Sequence, residues 1–291
     1  MTTTAAAPIR EFAPAKINLF LHLTGRSADG YHLLSSLMVF ADIGDELTVT
    51  PANRFSLTID GPFASGLPTD NTNLVTRAAE RLATLLGIAP HAALRLTKNL
   101  PVASGIGGGS ADAAAALRAL VKVWGRNPEA DALAKLALGL GADVPVCLRS
   151  QAMNVSGIGE ILDLSPKLPP AWLVLVNPGV AVATKDVFAA RKGSFSQPAP
   201  LDRAPRDAAE LAKMLAGRHN DLEAPAIAIA PMIDTVLDTL RTISGCLLAR
   251  MSGSGATCFG LFAEASAAVT AAQKIRQTQS AWWSVAAPLR P

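Results

Sequence analysis

The sequence predicts an α+β protein of two domains, on three observations. Alternating apolar and polar residues come first, at LTVT and FSLTID, and runs with helical spacing follow them. A proline-broken segment, SPKLPP, then precedes a continuous apolar run, WLVLVNPG, that predicts a buried strand. We therefore place the domain boundary there, with an N-terminal domain over residues 1–164 and a C-terminal domain over residues 165–291.

The first domain contains a strand, a glycine loop and helices in a clear order. NLVTRAAERLATLLG has helical spacing and ends at Gly87, and ALRLTKNLP is a short strand that stops at Pro101. After the glycines, SADAAAALRALVKVWG has the spacing of a buried helix closed by Gly125. A further helix, ALAKLALGLG, leads to Pro145, which should prevent a helix from continuing through that point.

In the second domain the prediction begins with a loop and ends with a helix. RKGSFSQPAPLDRAPR is polar and proline-rich and predicts an exposed loop, followed by helices at residues 207–217 and 231–242. LLARMSGSGATCFGLF predicts two strands joined by a glycine turn, and a last helix is expected from about Ala265 to Gln279.

Composition excludes several classes of function. Of the 291 residues, 50% are hydrophobic and the net charge is only +3, with lysine and arginine scattered, so neither a nucleic-acid surface nor a membrane surface is indicated. The three cysteines stand in apolar settings without the close partners of a zinc site. With no leader and no long apolar run, we expect a cytoplasmic protein with a short frayed N-terminal tail, as a monomer or homodimer.

The segment PVASGIGGGSADAAAAL carries the strongest signal of function. Gly105, Gly107, Gly108 and Gly109 leave backbone N–H groups unobstructed just before a helix, whose N-terminus favours an anion. Ser110 adds a hydroxyl that could donate to a phosphate or help to hold the accompanying Mg²⁺. The alternative is a glycine-rich turn used for packing alone. Neither the lysine of a Walker A loop nor the spacing of a dinucleotide fingerprint is present, so the pattern indicates polyphosphate binding of another kind.

Two motifs resemble those of the galactokinase, homoserine kinase, mevalonate kinase and phosphomevalonate kinase superfamily, the GHMP kinases. PVASGIGGGSADAAAAL is similar to their ATP loop, and SGSGATCFGLF to their C-terminal glycine motif. Residues 14–47, GADVPVCL and HNDLE resemble the branch whose substrate is 4-diphosphocytidyl-2-C-methyl-D-erythritol (CDP-ME), in the non-mevalonate isoprenoid pathway. Ile106 and Ala111 depart from the leucine and second serine that are frequent in this loop.

The resemblance implies a fold, an activity and an ATP site. The fold is an N-terminal domain like the second domain of ribosomal protein S5 and a ferredoxin-like C-terminal domain, with the site in the cleft between them. The activity is transfer of the ATP γ-phosphate to a small-molecule alcohol, with Mg²⁺. The ATP-binding residues are then Pro101, Val102, Ala103, Ser104, Gly105, Ile106, Gly107, Gly108, Gly109, Ser110 and Ala111.

Lys16 and Asn18 lie on one face of an alternating run, AKINLFLHL, which without further information predicts a solvated face. A kinase without a Walker lysine needs another cation at the transferred phosphoryl group. By the resemblance, Lys16 is the catalytic lysine and Asn18 helps to position the substrate. From the residues alone, Asp143 is as readily a helix-end or turn aspartate as a catalytic one. By the resemblance, it is the base paired with Lys16.

The resemblance also implies a cytosine site. Tyr31 would stack on the base, His32 would hydrogen-bond to it, Phe188 would lie on its other face, and Thr184 would contact the substrate. Gly253, Ser254 and Gly255 form a second glycine turn, either a plain hairpin or a turn whose amides close on the substrate phosphates.

Two other functions stay open at this point. One is a kinase of the same superfamily for homoserine, mevalonate or a sugar, which would need no group for cytosine. The other is a non-catalytic module that holds ATP without transferring phosphate, which Lys16 and Asp143 together argue against.

Overall fold

The structure is a computed structural model, and it describes residues 7–290. The strands are β1 (Ile9–Arg26), β2 (His32–Thr50), β3 (Ser56–Asp60), β4 (Ala93–Thr97), β5 (Met153–Gly157), β6 (Ile161–Leu164), β7 (Trp172–Asn177), β8 (Leu248–Met251), β9 (Cys258–Phe262) and β10 (Trp283–Arg290). The helices are α1 (Leu74–Leu86), α2 (Gly108–Trp124), α3 (Ala130–Leu140), α4 (Val144–Arg149), α5 (Thr184–Ala190), α6 (Ala208–Ala216), α7 (Glu223–Ile229), α8 (Met232–Arg241) and α9 (Ala265–Thr278). The α+β prediction is confirmed.

The chain forms two compact units that are not continuous in sequence. The first contains residues 7–15, Ile43–Val102 and Gly108–Arg149. The second contains Lys16–Asp42, Ala103–Gly107 and residues 150–290. The long strands β1 and β2 each contribute residues to both units. The predicted domain boundary between residues 164 and 165 divides the chain only once, and it stays a prediction.

The first unit contains a small sheet and a group of packed helices. The C-terminal half of β2 pairs antiparallel with β4, with Leu47 opposite Leu96, and β4 pairs parallel with β3. Helices α1, α3 and α4 pack against α2. The predicted α1 ends as expected, because Gly87 has a left-handed φ of 65° and its N–H donates to the carbonyl of Ala83.

The second unit is built on an antiparallel sheet in the order β2–β10–β7–β9–β8, with β5 pairing on the other side of β2 and β6 pairing with β5. Helices α8 and α9 pack on this sheet. The core contains aliphatic and aromatic side chains from strands and helices alike, among them Val174, Leu237, Phe262 and Ile275.

Several local predictions are confirmed, and others are corrected. The loop at 191–206, the hairpin β8–β9 and helices α6, α8 and α9 appear where the sequence placed them. The sequence patterns do not predict α5, α7, β5, β6 or β10. Helix α3 ends before Pro145, but a new helix, α4, begins at Val144 with Pro145 in its first turn, where proline is tolerated because no intrahelical N–H bond is lost.

Within residues 7–290, no helix is both long and apolar enough to cross a membrane. Cys147 and Cys258 are buried and Cys246 is half-buried, and all three are free thiols. Strand β1 starts at Ile9, so most of the expected frayed tail lies outside the described residues.

Candidate active site

The glycine loop enters the start of helix α2. Gly105 and Gly107 have φ values of 77° and 65°, a region that residues with a side chain rarely adopt. Helix α2 begins at Gly108, so the N–H groups of its first turn have no partner within the helix. This arrangement of amides favours an anion at the helix N-terminus.

The two glycine turns contact each other backbone to backbone within the second unit. The hydroxyl of Ser252 donates to the carbonyl of Gly105 at 3.1 Å, and the N–H of Thr257 donates to the carbonyl of Ser104 at 3.1 Å. A Cβ atom on Gly105 would lie 2.5 Å from the carbonyl oxygen of Ser252, and one on Gly253 would lie 2.7 Å from that of Gly105. These glycines are therefore required for close contact between the turns, whatever else they bind.

Lys16 and Asn18 are buried, at 3% and 1% exposure, so they do not form the solvated face that the alternating pattern suggests. The Lys16 ammonium donates to the Asn18 side-chain oxygen at 2.8 Å. The Asn18 amide group in turn donates to the hydroxyl of Ser36 at 2.8 Å, and the Asn18 N–H donates to the hydroxyl of Ser252 at 3.1 Å. The Lys16 N–H donates to the carbonyl of Ile106 at 2.9 Å. The cation is thus fixed beside both glycine turns.

Further polar side chains hold the second glycine turn. The side-chain amide of Asn220 donates to the carbonyls of Met251 and Gly253, at 2.9 and 2.8 Å. The hydroxyls of Thr184 and Ser254 lie 2.9 Å apart, which brings together two residues that the resemblance assigns to the substrate. Asn220 comes from the HNDLE segment, and no sequence pattern connects it with residue 253.

Two of the residues expected at a cytosine site, His32 and Phe188, form a partly open aromatic cluster. The rings of His32 and Phe188 lie 5.1 Å apart. A turn precedes Tyr31, closed by a hydrogen bond from the N–H of Ser27 to the carbonyl of Tyr31. Tyr31 is exposed, at 62%. Burial lowers the pKa of His32, and the charges of Arg26 and Arg191 lower it further, so the imidazole is neutral near pH 7 and can both donate and accept a hydrogen bond.

Two residues of this cluster were missed by the sequence analysis. The ring of Phe195 lies 6.4 Å from His32, and the guanidinium of Arg191 lies 4.6 Å above the Phe195 ring. Both belong to the loop at 191–206, which was predicted only as an exposed connection. The RKGSF pattern carries a cation and a ring four residues apart, but nothing in it indicates that they meet.

Asp143 is partly exposed and belongs to the first unit. Its carbonyl accepts from the N–H of Cys147 at 3.1 Å, so it stands at the start of α4, as the helix-end reading anticipated. The same turn lies near the start of α2, because a Cβ atom on Gly141 would come within 4.0 Å of the Ser110 hydroxyl.

The remaining predicted ATP-loop residues divide between the interior and the surface. Pro101, Ser104, Ile106 and Ala111 are buried, whereas Val102 is exposed. In the described part of the chain, no group of three or more histidine, cysteine, aspartate or glutamate side chains could hold a metal ion.

Comparison with known proteins identifies a family. The family model described as GHMP kinases N terminal domain matches residues 73–151, and the one described as GHMP kinases C terminal matches residues 200–281. A 4-diphosphocytidyl-2-C-methyl-D-erythritol kinase from Paramagnetospirillum magneticum is 55% identical over 95% of this chain and 97% of its own length. The protein of the same name from Rhodospirillum rubrum is 53% identical over 97% of this chain and 93% of its own.

Solved structures match the whole fold. A crystal structure of 4-(cytidine 5'-diphospho)-2C-methyl-D-erythritol kinase superimposes with a TM-score of 0.79 at 32% identity, over 97% of this chain and 100% of that one. Homoserine kinase from Cytophaga hutchinsonii superimposes with a TM-score of 0.74 at 20% identity, over 100% of this chain and 97% of that one. At 20% identity, the match to homoserine kinase shows only that the fold is shared.

Proposed function

The chain belongs to the GHMP kinase family, and we propose that it transfers the γ-phosphate of ATP to the 2-hydroxyl group of CDP-ME, in the non-mevalonate route to isoprenoid precursors. The relatives that are about half identical over nearly their full length carry the name of this kinase. The observation that carries the proposal is the buried Lys16–Asn18 pair, hydrogen-bonded into two apposed glycine turns.

In this mechanism the glycine turns and Lys16 act on the phosphates. The amides at the start of α2 bind the ATP phosphates, since they have no partner within the helix. Negative charge spreads over the γ-phosphoryl oxygens as the bond to the β-phosphate breaks, and the fixed Lys16 ammonium stabilises it. Asn18 keeps that ammonium oriented before ATP arrives, so little reorganisation is needed during transfer.

Asp143 acts on the acceptor. Its carboxylate orients the 2-hydroxyl group and accepts the proton as the new bond from oxygen to phosphorus forms, and ADP leaves with the bridging oxygen. The groups that recognise cytosine are Tyr31, His32 and Phe188, with Thr184 and the turn at Gly253–Gly255 on the rest of the substrate. A neutral His32 suits a base that offers both a donor and an acceptor.

Mg²⁺ would accompany ATP and neutralise part of the phosphate charge. The described side chains fit an ion held mainly by the nucleotide, because no cluster of three or more acidic, histidine or cysteine ligands is present, and Mg²⁺ usually takes only one or two protein ligands beside phosphate oxygens and water.

The test is a coupled ADP-release assay with CDP-ME, homoserine and mevalonate as acceptors. We expect turnover with CDP-ME and a product that carries one additional phosphate. Asp143→Asn should abolish this turnover, and Asp163→Asn, which alters an exposed aspartate of β6, should leave it unchanged. Turnover of homoserine or mevalonate alone would refute the substrate, and wild-type turnover by Asp143→Asn would refute the mechanism.

A further inference from the structure

Three charged side chains of the first unit form a buried cluster next to the start of α2. The Lys98 ammonium donates to a carboxylate oxygen of Asp45 and, at 2.6 Å, to one of Asp112. All three side chains are at most 5% exposed. A Cβ atom on Gly108 would lie 3.6 Å from both the Asp45 carboxylate and the Lys98 ammonium, so the cluster touches the first residue of the helix. We call these three residues the ion triad.

The ion triad joins the two ends of the glycine loop. The Asp45 carboxylate also accepts from the N–H groups of Asn99 and Leu100, at 2.6 and 2.9 Å, where the chain enters the loop. Asp112 lies in the first turns of α2, where the chain leaves the loop. Lys98 bridges the two carboxylates, and therefore fixes the separation between the loop entrance and the helix N-terminus.

Stability alone does not account for burying these charges. One cation serves two carboxylates, and the second side-chain oxygen of Asp112 is buried with no hydrogen-bond partner. Burial raises the pKa of Asp112, against the opposing effect of the Lys98 ammonium. A buried ion pair often stabilises a protein no more than apolar residues of similar volume would, whereas in some proteins it fixes one geometry.

We propose that Asp45, Lys98 and Asp112 are positioning residues for ATP, which hold the loop entrance and the helix N-terminus at the separation that the phosphates require. This inference rests on the proposed function in taking ATP as the phosphate donor, and it is independent of the acceptor. It assigns the ion triad no contact with the substrate, so its loss should weaken ATP binding and leave recognition of the acceptor intact.

The experiment measures ATP binding by titration calorimetry without an acceptor, and then KM for ATP and for CDP-ME separately. Asp112→Ala cuts the bond from Lys98 to α2, and we expect ATP binding to weaken about tenfold, the effect of losing one hydrogen bond to a charged group. Asp112→Asn keeps an oxygen for Lys98 and should stay within about threefold of the wild type by the same reasoning. KM for CDP-ME should change less than about twofold in both variants, because the ion triad does not contact the acceptor and its binding is unaffected.

Two more variants test whether weaker ATP binding could result from loss of folding. Asp45→Asn has nearly the same shape but a single side-chain oxygen for three donors, so it should also weaken ATP binding about tenfold. Lys122→Met is the matched control, since it removes an exposed lysine of the same helix that pairs with Glu11, and it should bind ATP like the wild type. Circular dichroism and urea unfolding establish that each variant is folded.

Two outcomes would overturn the proposal. One is wild-type ATP affinity in folded Asp112→Ala or Asp45→Asn. The other is a parallel rise of both KM values, which would indicate general loosening of the protein. Failure of the proposed function would give a different result. The wild-type protein would then bind ATP without phosphorylating CDP-ME, and the differences in ATP affinity between the variants would remain.

Discussion

Gly105→Ala tests whether the two glycine turns depend on direct backbone contact. The added Cβ atom would lie 2.5 Å from the carbonyl oxygen of Ser252 and 2.8 Å from the nitrogen of Gly255, distances at which the turns must separate. Holding alanine at a φ of 77° costs about 1 kcal/mol. Separation also breaks the Ser252–Gly105 and Thr257–Ser104 hydrogen bonds, each contributing about 1 kcal/mol. We expect a loss of about 3 kcal/mol in the free energy of unfolding.

The matched control is Gly179→Ala, in the same unit. Gly179 has a φ of 76°, but a Cβ atom there would come no closer than 3.9 Å to the carbonyl oxygen of Ala281. It should therefore cost only the conformational term of about 1 kcal/mol. Urea unfolding measures both variants. The coupled assay should also show a lower kcat/KM for Gly105→Ala than for Gly179→Ala, because the turns that separate are hydrogen-bonded to Lys16 and Asn18. Equal unfolding free energies for the two variants would refute the reasoning.

Four further predictions concern single side chains. Lys16→Met should lower kcat by about a thousandfold and barely change KM for ATP, since the cation acts mainly on charge that develops during transfer. Phe188→Ala should raise KM for CDP-ME at least about tenfold with no effect on KM for ATP, because stacking on one base contributes 1–3 kcal/mol. Arg250→Ala should cost about 3 kcal/mol of stability, because this buried guanidinium donates to the carbonyls of Leu19, Leu215 and Arg218 and its loss leaves them unpaired. Arg191→Ala should raise the pKa of His32, because a positive charge that disfavours the protonated imidazole is removed. The acid limb of the pH profile of kcat/KM for CDP-ME should therefore move to higher pH.

Each of these has a direct check. A Lys16→Met enzyme with normal kcat would exclude the lysine from the transfer step. If Phe188→Ala raised both KM values equally, the ring would be acting on folding. Arg241→Ala is the control for Arg250→Ala, since its side chain is about half exposed and its loss should cost less than about 0.5 kcal/mol. NMR titration of the imidazole signals follows His32 directly, and an unchanged or lower pKa would contradict the assigned effect of Arg191.

Local patterns were sufficient to predict the elements that follow from one stretch of sequence. The helix α1 with its Gly87 end and the hairpin around Gly253 each depend on residues that are close together in the chain. The glycine loop that leads into α2 was predictable for the same reason, and its binding of phosphate stays a prediction.

The sequence could not show what distant residues do to one another. The alternation in β1 predicted one solvated face, yet both faces are buried, and so Lys16 lies in the interior. Asp45, Lys98 and Asp112 are separated by 53 and 14 residues, and no spacing rule connects them. Short elements such as α7 were missed because seven residues carry too little periodicity to separate a helix from a loop.

The alanines that follow the glycine loop limit how the sequence of this enzyme can vary. Ala113, Ala114, Ala115 and Ala116 are completely buried, and four successive residues point to nearly every side of a helix. A larger side chain at any of them would overfill the interior, so the start of α2 can accept few substitutions. The exposed or half-exposed residues around Tyr31 and Phe195 have no such limit. If the proposed roles hold, new acceptor specificities should therefore arise by mutation at the aromatic cluster, while the start of α2 stays nearly invariant.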